Sequence, residues 1–162
     1  MAESRPRLEY LIDTSVLVNI RDEHGDSKAI WLKVTNAIMV GRLKTIRQVW
    51  DELESRFQDI ARRLKRYKKE FVLPDDIVYA PGVVAEVRYL NEHHRTLWNP
   101  VGGRNPADPM LVAVAKDLNV IVVTDEKRKG PGFQRRIPYV CTQRNIGCAE
   151  RLDFLRKLGC DI

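Results

Sequence analysis

The stretch "YLIDTSVLV", Tyr10 to Val18, decides how the chain is read. An apolar run with the look of a buried strand stops at a carboxylate and two hydroxyls, Asp13, Thr14 and Ser15. An Asp in that place often serves as a turn residue or helix cap, because its side-chain oxygen accepts from orphan backbone N–H groups. A larger role requires partners for it elsewhere in the chain.

The first partner lies after "VIVVT", Val120 to Thr124, a continuous β-branched run of the kind buried on both faces of a parallel sheet. That run ends at Asp125. Before it, "DPMLVAVAKDL" reads as a helix with Pro109 at its first position and Asp108 as its cap. In a parallel α/β sheet, sites form at the carboxyl ends of strands, where strand order reverses. If the two strands are neighbours, Asp13, Asp108 and Asp125 share one edge.

The remaining elements fit that frame. Residues 8–12 form the first strand, a helix runs from about Ser27 to Val40, and "GRLKTI" is a short second strand. Within Arg47–Phe71, apolar residues recur every three or four positions, Val49 or Trp50, Leu53, Phe57, Ile60, Leu64 and Tyr67, which predicts one long helix. "DDIVYAPG" is a loop or short strand, "VVAEVRYLNEHHRTLW" a helix, and "NPVGGRNPADP" a turn-rich loop. A strand at "IPYVC" and a helix from about Cys148 to Leu158, stopped by Gly159, complete the chain. Alternating strands and helices predict an α/β fold with a mostly parallel sheet, residues 1–162 forming one domain.

Composition narrows the class. At 162 residues, 44% hydrophobic and 31% charged, the chain can bury a core without staples. No apolar run approaches the roughly 20 residues that span a bilayer, and "MAESRPRLEY" has no signal-peptide core, so the expected location is the cytoplasm, with no membrane partner. Cys141, Cys148 and Cys160 lack metal-ligand spacing and are expected to be reduced, partly buried thiols. The net charge of +6 favours a polyanionic partner such as nucleic acid.

A fourth carboxylate comes from the Arg47–Phe71 helix. At about 100° per residue, Asp51 points away from the apolar stripe, while Glu52 and Glu54 sit on its two borders. Angle alone does not choose between those two. Carboxylates gathered without matching cations repel, and proteins tolerate this mainly when a divalent ion neutralises them. Oxygen-only ligands suit Mg²⁺ or Mn²⁺, which can hold a phosphodiester and activate a water. Thr14, Ser15 and Thr124 could orient that water or a ligand carboxylate.

Together "YLIDTSVLV", "VWDELES", "NPADPMLVAVAKDLNVIVVTDEK" and "IPYVCTQRNIGCAERLDFLRKLG" resemble the PIN-domain proteins, metal-dependent ribonucleases that include virulence-associated protein C-like toxins. The likeness runs from about residue 8 to 160, and is nearest to a poorly characterised PIN-like branch. It implies a central parallel sheet flanked by helices and an endoribonuclease that uses Mg²⁺ or Mn²⁺. It also implies catalytic residues Asp13, Glu52, Asp108 and Asp125. Asp13, Asp108 and Asp125 would hold the metal, supported by Ser15, Thr124 and Glu126. The family often has a further residue between the Thr and its last acid, a spacing that selects Glu126. The shorter side chain favours Asp125 as ligand, because it loses less rotamer entropy on holding an ion. The partners implied are RNA, a cognate antitoxin and a second copy in a homodimer.

Two basic segments remain. "KRKGPGFQRR" follows Asp125 directly and supplies Lys127, Arg128, Lys129, Arg135 and Arg136 as the expected RNA-contacting loop. "RRLKRYKK", Arg62 to Lys69, carries six basic residues in eight and reads equally as a phosphate contact or a solvated helix face. Other function classes stay in view. A binding module with the same fold and no activity is one. A phosphatase or receiver-like domain is another, although a receiver needs an acidic pair where "LID" supplies one acid.

Overall fold

The computed structural model describes residues 7–95, 107–128, 130, 132 and 136–162. Four short strands form one parallel sheet: β1 (Tyr10–Ile12), β2 (Leu43–Lys44), β3 (Ile121–Val123) and β4 (Cys148–Ala149), in the order β2-β1-β3-β4. Tyr10 is paired with Leu43 on one side and with Ile121 on the other, while Val122 pairs with Cys148. The chain leaves β1 toward β2 and returns on the opposite side as β3. The order therefore reverses between β1 and β3, which makes their carboxyl ends the expected place for a site. The expected α/β fold with a parallel sheet is the observed one.

Helices flank the sheet: α1 (Thr14–His24), α2 (Lys28–Met39), α3 (Arg47–Arg56), α4 (Gln58–Leu64), α5 (Lys68–Phe71), α6 (Asp75–Val78), α7 (Pro81–His93), α8 (Ala107–Leu118), α9 (Ile137–Gln143) and α10 (Arg151–Lys157). The contiguous core takes Leu11 and Ile12 from β1, Val122 and Val123 from β3, and apolar faces of α1, α2, α3 and α8. Leu111 to Ala115 of α8 are all fully buried, so that helix is central rather than peripheral. The thiols are free, with Cys141 buried and Cys148 and Cys160 partly so. Among the described residues, no helix is long and apolar enough to cross a membrane.

Several elements differ from the sequence reading. Helix α1 occupies residues to which the sequence reading assigned no element; Val16, Leu17 and Ile20 pack inward at helical spacing. The predicted long helix is divided at Phe57, whose φ of −134° and ψ of 58° leave helical space, and again by a 3₁₀ turn at Lys65–Tyr67. Phe57 is packed beneath the guanidinium groups of Arg21 and Arg56, each 5.6 Å from its ring centre, which holds the break in place. "DDIV" is helical, its Asp residues lying in the first turn where the helix dipole favours them. "IPYVC" is helix α9 rather than a strand, with Pro138 in the first turn where a missing N–H costs nothing. The Cys148 end of the final helix is strand β4, and Ile121, at 37% exposed, is not buried on both faces. Most of the turn-rich loop before α8 falls outside the described residues.

Candidate active site

Asp13 follows β1 directly, and its N–H donates to the Val123 carbonyl (2.9 Å), continuing the ladder one residue beyond the strand. It is the N-cap residue of α1, but its carboxylate makes no capping bond. Oδ2 instead accepts from the Ser15 hydroxyl (2.8 Å) and the Thr124 hydroxyl (3.0 Å). Each hydroxyl oxygen is used twice: Ser15 Oγ accepts the Asp125 N–H (3.1 Å), and Thr124 Oγ1 accepts the Glu126 N–H (3.2 Å). Two hydroxyls thus fasten the end of β1 to the segment leaving β3. Asp13 is 4% exposed, and burial drives its carboxyl above the usual range although both hydroxyls pull the other way.

Three further carboxylates meet it. Glu52, on the sheet-facing border of α3, accepts from Thr14 Oγ1 (2.8 Å) and touches Arg56 at 3.4 Å. Glu54 faces elsewhere, lying 3.6 Å from Lys68, and Asp51 is exposed. Asp108 sits within the first turn of α8 rather than capping it, and is 6% exposed. Burial and the charges of Asp13, Glu126 and Glu52 push its carboxyl up to about 10. Glu126 accepts the Ile137 N–H at the start of α9 (2.7 Å) and is hydrogen-bonded to Asp108. Burial and the nearby Asp13 push Glu126 up to about 7, against the pull of the Ile137 N–H.

Asp125, expected among the metal ligands, lies outside this group. Its Oδ1 accepts the Arg151 N–H at the start of α10 (3.0 Å) and its Oδ2 accepts from the Asn19 amide (2.9 Å), with Arg151 Nε 3.7 Å away. Those contacts tie α1, β3 and α10 together and occupy the oxygens a cation would need. The reason is alternation: consecutive residues leaving an extended strand point to opposite sides, and it is Glu126 that turns toward Asp13 and Asp108. The structure therefore gathers Asp13, Glu52, Asp108 and Glu126, with Asp125 as the brace behind them.

Four carboxylates from β1, α3, α8 and the segment after β3 converge, and their electrostatics show the consequence. Burial and mutual repulsion favour the protonated forms of Asp108 and Glu126, which are hydrogen-bonded to each other. Among the described residues, no three acidic, His or Cys side chains are already spread around one point as ligands. Asp108 Oδ1, however, is buried with no hydrogen-bond partner among the described residues. An orphaned carboxylate oxygen in an all-oxygen group fits a hard divalent cation, which would replace the retained protons.

The expected RNA-contacting residues are partly placed. Lys127 is exposed, while Arg128 is turned back onto Glu150 (3.0 Å) and the Cys148 carbonyl (3.3 Å). Arg136 lies close enough to lower the Glu126 carboxyl. Lys129 and Arg135 fall outside the described residues. Sequence reasoning missed Asn19 and Arg151. Asn19 belongs to the unexpected helix α1, six positions beyond Asp13, and would have been found had that helix been recognised. Nothing local marks Arg151, a buried cation held by Glu23 (2.8 Å) and Asp125.

Comparison with known proteins bears on the fold. The crystal structure of PAE2754 from Pyrobaculum aerophilum superposes with a TM-score of 0.53 at 17% identity, covering 96% of this chain and 100% of that one, which shows a shared fold and nothing finer. No curated protein matches the sequence. Residues 10–162 match the model of a family described as "Domain of unknown function (DUF4411)", and the chain belongs to that family.

Proposed function

We propose that this protein is a Mg²⁺- or Mn²⁺-dependent endoribonuclease, with Asp13, Glu52, Asp108 and Glu126 as its acidic group. The observation that carries the reading is the convergence of those four carboxylates at the point where strand order reverses, one of them with an unpartnered buried oxygen. The resemblance to PIN-domain ribonucleases supports Asp13, Glu52 and Asp108, and one of the two spacings it allows for the fourth acid gives Glu126.

A bound divalent ion would supply the charge that holds a phosphodiester and activates a water for attack on phosphorus. The chain's own residues define where that happens. Ser15 and Thr124 fix the rotamer of Asp13. Thr14 turns Glu52 inward across the gap between α1 and α3. The Ile137 N–H holds Glu126, and Asn19 and Arg151 hold Asp125, so the segment leaving β3 cannot swing away. Held this way, the carboxylates need little reorganisation to take up charge.

We also read the protein as the toxin of a toxin–antitoxin pair, its acidic cleft covered by the antitoxin when inactive, with a homodimer as the assembly. Support for this part is the resemblance alone. The test of activity is cleavage of a labelled RNA with Mg²⁺, Mn²⁺ or EDTA, by wild type and Asp13→Asn. Cleavage that needs the ion and Asp13, in a variant with unchanged circular dichroism, is expected. Cleavage at the wild-type rate by the variant refutes the assignment, and no cleavage by wild type with either ion leaves a nucleic-acid-binding module. Induced expression that arrests growth only when Asp13 is intact tests the toxin role.

A further inference from the structure

A second concave surface lies on the other side of α3. Trp50 and Glu54, one helical turn apart, form one wall, and Gln58, Ala61, Arg62, Lys65 and Lys68 from the following helices form the other, enclosing about 230 Å³. Glu52 is two residues from both Trp50 and Glu54, so at about 100° per residue it projects roughly 200° away from them. The acidic group and this groove therefore occupy opposite sides of one helix, about a helix diameter apart.

We propose that this groove is a phosphate-backbone contact for single-stranded RNA, separate from the acidic group. For the identity of the polyanion the inference rests on the ribonuclease reading; for the existence of an anion site it does not. Three cations and a single carboxylate line the groove, and Glu54 offsets Lys68 alone, at 3.6 Å. Among the described residues no ion pair involves Arg62 or Lys65, both exposed. Arg62, Lys65 and Lys68 recur every three residues along α4, the 3₁₀ turn and α5. That places successive positive charges about 4.5 to 6 Å apart along the axis, a repeating array suited to a repeating anion.

The wall adds a second observation. Trp50, 2% exposed, supplies apolar lining beside the three cations. Lys68 Nζ stands 5.4 Å above the same ring, a cation–π contact at the groove. The break at Phe57 and the 3₁₀ turn at Lys65–Tyr67 explain the concavity: a single straight helix from Arg47 to Phe71 would carry Trp50 and Arg62 on one rod with no space between them.

The test is RNA binding without catalysis. A short fluorescein-labelled single-stranded RNA is titrated with wild type and with the Arg62→Gln/Lys65→Gln double variant in EDTA, across a range of salt, by fluorescence anisotropy. Each cation that neutralises a phosphate of a single strand contributes about 0.7 to the slope of log K against log salt. The double variant is therefore expected to be shallower by about 1.4, and roughly tenfold weaker at 0.15 M salt. Both substitutions are at exposed positions, and unchanged melting temperature excludes misfolding as the cause. Equal slopes and affinities for the two proteins overturn the inference. So does a poly-glutamate peptide that outcompetes the RNA on wild type and fails to bind the variant, which would make the groove a docking site for an acidic protein. Slope loss in a protein that cleaves nothing upholds the groove while refuting the nuclease reading, and ion-dependent cleavage with equal slopes refutes the groove alone.

Discussion

Replacing Asp108 by Asn should make the metal-free protein more stable while abolishing cleavage. Asp108 lies on α8 with Asp13, Glu126 and Glu52 near it, and its carboxyl is pushed up from 3.8 to about 10. In the unfolded chain at about pH 7.5 the same group is ionised. Folding must therefore return a proton to it across about 3.7 pH units, at about 1.36 kcal/mol each, a cost of about 5 kcal/mol. Asn is neutral at every pH, and its amide can donate to Glu126 where the carboxylic acid did. Because the amide also brings a second N–H into a buried place, we expect a net gain of about 2 to 4 kcal/mol.

The sign follows from linkage. A carboxyl whose folded pKa is raised binds more protons folded than unfolded, so wild-type stability is full below about pH 4 and falls as pH rises toward the folded value. The advantage of Asp108→Asn should thus be small near pH 4, grow through pH 7.5, and level off near pH 10. Urea unfolding in EDTA at several pH values, followed by circular dichroism, measures it; at 2 to 4 °C per kcal/mol the melting temperature should rise by about 5 to 15 °C near neutrality. Excess Mg²⁺ should stabilise wild type and leave the variant unmoved, because only a bound ion adds RT ln(1 + [L]/Kd). A variant that is less stable than wild type at neutral pH, or an advantage independent of pH, would show that Asp108 is not held protonated among like charges.

Glu126→Gln and Asp125→Asn should separate cleanly: the first loses cleavage with little loss of stability, while the second costs about 2 kcal/mol by weakening the Arg151 and Asn19 contacts and keeps measurable cleavage, as urea midpoints and RNA cleavage at limiting Mg²⁺ would show. The reverse pattern would return the metal to Asp125. Wild type in EDTA should lose stability between about pH 4.5 and about pH 7, where folded Glu126 still holds a proton that the unfolded chain has released, and a flat profile there would contradict the cluster. Thr124→Val removes a fully buried hydroxyl that donates to Asp13 and accepts from Glu126, and should cost about 1 to 3 kcal/mol together with a fall in kcat, read by thermal melting and single-turnover cleavage.

What the sequence disclosed followed from strong, short-range signals. Two β-branched or apolar runs ending in an acid placed β1 and β3, and the α/β alternation around them implied a parallel sheet. Asp13 and Asp108 could be brought to one edge by topology, while helical angle set Asp51 aside but left Glu52 and Glu54 level, and the resemblance to PIN-domain proteins chose Glu52. What it hid depended on contacts between distant residues. No element was read where helix α1 stands, because β-branched Val16 and Val18 give it no strong helix signal, and the burial of Val16, Leu17 and Ile20 is what marks it. The break at Phe57 is invisible to periodicity, since Leu53, Phe57 and Ile60 keep helical spacing through it; the two guanidinium groups on its ring come from α1 and α3. "IPYVC" has strand composition, and its Pro is compatible with a strand start as well as with a first helical turn.

The choice between Asp125 and Glu126 shows the limit most sharply, because it turns on a single residue. Side-chain length argued for Asp125, and alternation along an extended strand could only say that one of the two faces the group, not which. The decision is made by the hydroxyls. Ser15 Oγ and Thr124 Oγ1 both donate to Asp13 Oδ2, and their lone pairs then receive the N–H groups of Asp125 and Glu126 in turn. Ser15, two residues beyond Asp13, holds the Asp125 backbone against α1, which leaves that carboxylate beside Asn19 and the start of α10. Thr124 then carries the chain one step further, so that Glu126 enters where Asp108 and the Ile137 N–H can hold it. "DTS" and "TDE" are thus one structural unit contributed by two strands. The carboxylate that the first supplies and the carboxylate that the second supplies are set by the same pair of hydroxyls.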